Sequence, residues 1–154
     1  MKLRLFLLIT FLFCCYKAHS QSDDGWFTGK IAVAYSTEKN FQTSYDFLYN
    51  LENHLSFGTG LAFVVDNFAL LDTRADIRIR PFGHKNFMPA IWLKYGYRSA
   101  LSHNDKGSAI FSPEICLETG FHTLIKFTVN LSAEFYKING EKFQAYTIGC
   151  GILM

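Results

Sequence analysis

Asp72-Thr73-Arg74-Ala75-Asp76-Ile77-Arg78-Ile79-Arg80 carries a charge at every even position and an apolar or small residue at every odd one. Only a β-strand repeats every two residues, so this stretch reads as a strand with a column of five charges on one face. The same phase recurs along the chain. Odd positions are large and apolar, as in Ile31, Val33 and Tyr35, Leu61 and Phe63, Ile91 and Leu93, Phe127, Val129 and Leu131. Even positions are small or ionisable, as in Lys30 and Ala32, Gly58 and Gly60, Lys94 and Gly96, Glu114 and Glu118.

Eight such segments follow one another, at roughly 26–36, 41–49, 54–65, 68–80, 87–99, 109–121, 124–137 and 143–153. The breaks between them carry turn chemistry, such as Thr37-Glu38-Lys39-Asn40, Asp66-Asn67, Gly83-His84-Lys85-Asn86 and Asn139-Gly140. The last segment shifts phase by one, with Tyr146, Ile148 and Ile152 on its apolar face, and a turn at Asn139-Gly140 can absorb the shift. No segment sustains a helical period. Eight strands on short connections form an up-and-down meander, and closing it removes both free edges.

Volume decides which face is inside. An eight-stranded barrel has an interior just wide enough for side chains to fill. The apolar phase, rich in Phe, Tyr, Leu and Ile, is too bulky for that space, whereas charged chains mixed with Gly and Ala fit it. Aromatic residues gather at the strand ends (Trp26, Phe27, Tyr35, Phe41, Tyr49, Phe87, Tyr97, Phe121, Phe135, Phe143), where membrane barrels place interfacial girdles. The fold class is therefore all-β, an eight-stranded antiparallel up-and-down transmembrane β-barrel with a polar, packed lumen. Pro113, inside the sixth strand, removes a ladder hydrogen bond, and a bulge near the rim is the expected accommodation.

The first twenty residues read as a cleaved signal peptide. Lys2 and Arg4 precede an apolar run from Leu5 to Tyr16, and Ala18-His19-Ser20 offers small residues to a peptidase. The run is shorter than the ~20 residues a spanning helix needs. Phe13 before Cys14 argues against lipidation. Residues 21–154 then form one domain, the barrel. Setting aside Lys2, Arg4 and Lys17 leaves 12 basic against 13 acidic side chains, with no basic tract for nucleic acid. Cys116 and Cys150 fall on opposite faces of non-neighbouring strands, so no disulfide is expected between them. No cysteine or histidine spacing suggests a metal, and no cofactor is implied.

The charged phase brings seven cations (Lys30, Arg74, Arg78, Arg80, Lys94, Arg98, Lys126) and six anions (Asp46, Asp72, Asp76, Glu114, Glu118, Glu134) inward. A selective pore carries an excess of one sign at its constriction, whereas this set neutralises itself. We expect a structural salt-bridge network centred on Asp72, Arg74, Asp76, Arg78, Lys94, Arg98, Glu114 and Glu118. Folding the fourth strand onto the fifth about Gly83-His84 sets Lys94 across from Arg74 and diagonal to Asp72 and Asp76. Folding the fifth onto the sixth brings Glu114 near Lys94. Gly58 and Gly60 face Arg74 and leave room for its guanidinium.

With both ends in the periplasm, the connections at 37–40, 66–67, 100–107 and 138–142 face outward. Only 100–107 has much length, so Ser102, His103 and Asp105 there are the candidate external site. They supply nucleophile, base and acid residue types, but triads are built from separate elements, and turn composition alone accounts for them. His54, His84 and His122 sit at or beside predicted periplasmic turns.

The stretch Tyr49-Asn50-Leu51-Glu52-Asn53-His54-Leu55-Ser56-Phe57-Gly58-Thr59-Gly60-Leu61-Ala62-Phe63 resembles the second hairpin of the small OmpA-like and OmpX-like outer-membrane barrels of Gram-negative bacteria, a porin-family domain. The resemblance spans residues 21–154. It implies export to the outer membrane, contact with membrane lipid, and a structural or interaction role that can include an envelope protein partner. Members include structural anchors, adhesins and a few lipid-modifying enzymes. The end in Leu153-Met154 departs from the terminal aromatic of many members, and the short external loops depart from the adhesive ones. The expectation is a non-enzymatic barrel without an open pore. The alternatives are a soluble lipocalin-like barrel around an apolar ligand and an outer-membrane lipid-modifying enzyme. The sequence leaves the oligomeric state open.

Overall fold

Alternation drives the chain into strands with one face outward and apolar and the other inward and carrying the charges. The computed structural model describes residues 26–38, 40–51, 54–65, 69–82, 87–101, 107–120, 125–138 and 141–154. The leader 1–20 and the loop residues Ser102, His103 and Asp105 lie outside the described residues. Eight strands are present: β1 (Trp26–Ser36), β2 (Phe41–Asn50), β3 (Leu55–Val65), β4 (Ala69–Ile79), β5 (Phe87–Ala100), β6 (Ser108–Thr119), β7 (Lys126–Ile138) and β8 (Glu141–Leu153). Each pairs antiparallel with the next, and β8 pairs with β1, so the barrel is closed.

The register gives its dimensions. Paired residues lead once round the barrel from Trp26 through Asn50, Ser56, Arg78, Trp92, Glu114, Ser132 and Thr147, and return to β1 at Ser36, ten residues further along. That stagger over eight strands tilts them by about 40° and sets a backbone radius of about 8 Å. An 11-residue strand such as β1 then rises about 27 Å along the barrel axis, close to the apolar height of an outer-membrane barrel.

The faces separate cleanly. Ile31, Phe57, Phe63, Ile91, Leu93, Ile115, Phe127 and Leu131 are exposed on the outer wall, as are Tyr146, Ile148 and Ile152 of the phase-shifted β8. A soluble barrel with the apolar face inside is thereby excluded. All thirteen charges assigned to the inner phase are buried. Cys116 is buried and Cys150 exposed, and both are free thiols.

Four expectations need correction. Lys94 lies opposite Asp76, and Arg74 opposite Gly96, so the β4–β5 register differs by two residues from the one expected. The observed register sets Asp76 across from Lys94 and Asp72 across from Arg98, opposite charges where the other would oppose two cations. Pro113 makes no bulge. The β6–β7 ladder runs through Ile110–Tyr136 and Phe111–Phe135 and resumes at Glu114–Ser132 in the same register, so it is interrupted without an extra residue. Trp26 and Phe143 do not belong to the outer girdle. Both lie on the lumen phase: Trp26 under the Arg80 guanidinium at 6.0 Å, Phe143 stacked on Tyr136 at 5.6 Å. The inner phase also holds large apolar chains, Leu48, Met88, Trp92 and Ile110, all fully or almost fully buried.

Candidate functional site

The lumen holds the only dense constellation of ionisable groups among the described residues, and it is built in tiers. In the central tier Glu114 of β6 receives Lys30 Nζ from β1 at 2.5 Å and Lys94 Nζ from β5 at 2.7 Å. Asp46 of β2 receives Arg74 of β4 at 2.8 Å and lies 3.5 Å from Lys94. Five strands are thus tied across the barrel by five side chains. Gly60 sits between Asp46 and Arg74 in the ladder. A Cβ there would collide with the carboxylates of Asp46 and Asp76, so the glycine makes the passage of the guanidinium possible. Gly58 faces Asp76 instead of Arg74, and a Cβ on it would strike the Phe47 carbonyl.

A second tier lies towards the end that carries the 37–40 connection. Arg98 grips Asp72 in bidentate fashion, Nε and one terminal nitrogen each donating at 2.8 Å. The same terminal nitrogen donates to Glu134 at 2.9 Å, and the guanidinium rests 4.7 Å from the Tyr136 ring. At the other end, Arg78 donates to Asn50 Oδ1 at 2.6 Å and to Ser56 Oγ at 3.2 Å, with Glu118 3.4 Å away. Arg80 reaches the same Asn50 and Ser56 atoms at 3.3 Å. The eight residues singled out from sequence therefore divide between tiers rather than forming one cluster. Asp76 is buried and accepts no hydrogen bond among the described residues, because Lys94, across the ladder from it, turns its ammonium to Glu114.

Trp92 escaped the sequence reading. It is 0% exposed, and Lys30, Lys94 and Arg78 lie 4.3, 5.0 and 5.4 Å from its ring. Cations over an indole face are held by its quadrupole as well as by their carboxylates. With Leu48, Ala90, Cys116 and Leu153 it forms an apolar plug across the lumen. The available signal was its even position in β5, which marks it as inward despite its apolar character.

Beside the central tier a void lined by Ala32, Ala34, Gln42, Ser44, Ser112 and Asn130 has room for about one water molecule. The described residues offer no grouping of three metal-ligating side chains. His54 is engaged through Nδ1 with the Arg80 carbonyl at 2.9 Å. His84 and His122 lie outside the described residues. The described lumen is a set of largely paired charges wedged around a tryptophan, with the Asp76 carboxylate left without a hydrogen bond and no nucleophile–base pair among the described residues.

No protein-family model matches the chain. No curated protein matches it either. Solved structures do resemble it. Neisserial surface protein A superposes with a TM-score of 0.65 at 12% identity, covering 88% of this chain and 99% of that one. The N-terminal β-barrel domain of Pseudomonas aeruginosa OprF gives 0.65 at 11% identity, covering 87% and 100%. The outer membrane enzyme PagL gives 0.54 at 12% identity, covering 82% and 98%. The fold is the eight-stranded transmembrane barrel of these proteins, and at such identities the likeness speaks for the fold alone.

Proposed function

We propose that this chain is an outer-membrane β-barrel of a Gram-negative bacterium with a structural or interaction role in the envelope, without an open pore and without a catalytic centre. One observation carries the reading: the outer wall is apolar all round, while most of the charges inside are paired with one another across the lumen. Such a wall is solvated by acyl chains, so membrane lipid is the first partner. With both ends in the periplasm, the connections 37–40, 66–67, 100–107 and 138–142 reach the outside. The longest of them, with Ser102, His103 and Asp105, is the place to seek an envelope protein partner.

The test combines two measurements. Purified barrel in planar bilayers is expected to give no discrete conductance steps, and cells lacking the protein are expected to keep their lipid acyl profile while losing envelope integrity. Ohmic channels would contradict the closed lumen. A changed acyl profile that a His103→Ala variant fails to restore would favour a lipid-modifying enzyme instead, for which the likeness to an outer membrane enzyme is a structural precedent.

A further inference from the structure

At the outer end of the β7–β8 hairpin, Lys137 and Lys142 are directly paired across the ladder. Like charges opposite one another destabilise an antiparallel pair, so their juxtaposition calls for a counter-ion. Both are exposed, and both lie on the outer phase, with Phe135 and Gln144 beneath them. Neither ammonium has an ion-pair partner among the described residues, and Glu141, next in sequence, faces the other way. Paired Cα atoms in an antiparallel ladder stand roughly 5 Å apart, so two ammonium groups can close on one phosphate.

The wall below the lysines has a matching feature. Ala133 and Pro113 would face each other where the β6–β7 ladder is interrupted. They are only half-buried although small, and they sit low between the large exposed chains of Phe111, Phe135 and Tyr146. This recess opens four residues down β7 from Lys137, about 13 Å along the strand. A lipid headgroup on the lysines can therefore lay one acyl chain in the recess.

We propose that Lys137, Lys142 and the Pro113/Ala133 recess form a site for one phosphate-bearing lipid of the surrounding leaflet. The proposal rests on the membrane-embedded reading given above. It is tested by native mass spectrometry of the barrel released from nanodiscs of phosphatidylcholine containing a minor fraction of bis-phosphorylated glucosamine-disaccharide lipid. The wild-type barrel is expected to leave with one phosphorylated glycolipid. Lys137→Gln/Lys142→Gln, which removes the clamp, and Ala133→Leu, which fills the recess, are each expected to retain about tenfold less. The dephosphorylated glycolipid is expected to be lost from all forms. Equal retention by the wild type and both variants, or retention independent of the phosphates, would overturn the site. So would an adduct with inorganic phosphate alone at the expense of the lipid. A barrel that never enters the nanodisc would instead remove the membrane reading itself, and the two failures are distinguishable because only the second abolishes incorporation.

Discussion

Glu114 holds two ammonium groups at once, and that makes it the residue on which the central tier depends. Taking its charge away leaves Lys30 and Lys94 buried with less than their charge in partners, and the lone buried charge rather than the lost contact sets the cost. Glu114→Gln is expected to destabilise the barrel by about 3–5 kcal/mol, read as a lower urea midpoint for unfolding in detergent or bilayers. Replacing Lys30 and Glu114 together by Met is expected to recover the part of that loss owed to Lys30, since an apolar pair of similar volume carries no desolvation penalty, while Lys94 keeps Asp46 at 3.5 Å. At this scale the inward charges were legible because a period of two admits no other reading. Their partners were less so. The connection at 80–86 does not reveal which residue centres the hairpin, so Lys94 was set against Arg74, two residues from the observed register. Alternation does not single out Trp92, because an apolar residue on a polar phase looks like an exception to the pattern, while it is the surface on which three cations rest.

Each strand divides its residues between two solvents, and the element fails if that division is crossed. Phe127 on β7 is 51% exposed and Leu93 on β5 is 37% exposed, both on the outer wall among other apolar chains. Arg at Leu93, midway along β5, is expected to cost about 2–4 kcal/mol of membrane stability, and Arg at Phe127, the second residue of β7 and so nearer the interface, less than that. The measurement is folding into lipid vesicles, and unimpaired assembly of both variants would place the wall elsewhere than against lipid. Strand existence, phase and the shift in β8 were readable from alternation. The treatment of Pro113 was not. A missing N–H can be absorbed by a bulge or by a gap in the ladder, and only the register on either side, unchanged from Phe111–Phe135 to Glu114–Ser132, distinguishes them. Trp26 and Phe143 show the same limit at strand ends, where an aromatic reads equally as a girdle or as a lid on the lumen.

Closure is a property of the whole chain. The ten-residue stagger from Trp26 to Ser36 exists only when all eight strands are paired, so tilt, radius and lumen volume are set together. Strand number and closure could be read from eight alternating segments on short connections. Activity could not, because in a connection such as 100–107 turn composition and functional composition look alike. The measurement that bears most directly on the central claim is fractionation of the producing cells, followed by electrophoresis of the detergent-extracted protein with and without heating. The expected result is recovery in the outer membrane, with unheated protein migrating differently from heated protein because the closed, ion-paired barrel resists detergent until it is boiled. Recovery in the soluble fraction without detergent, or identical migration before and after heating, would contradict it.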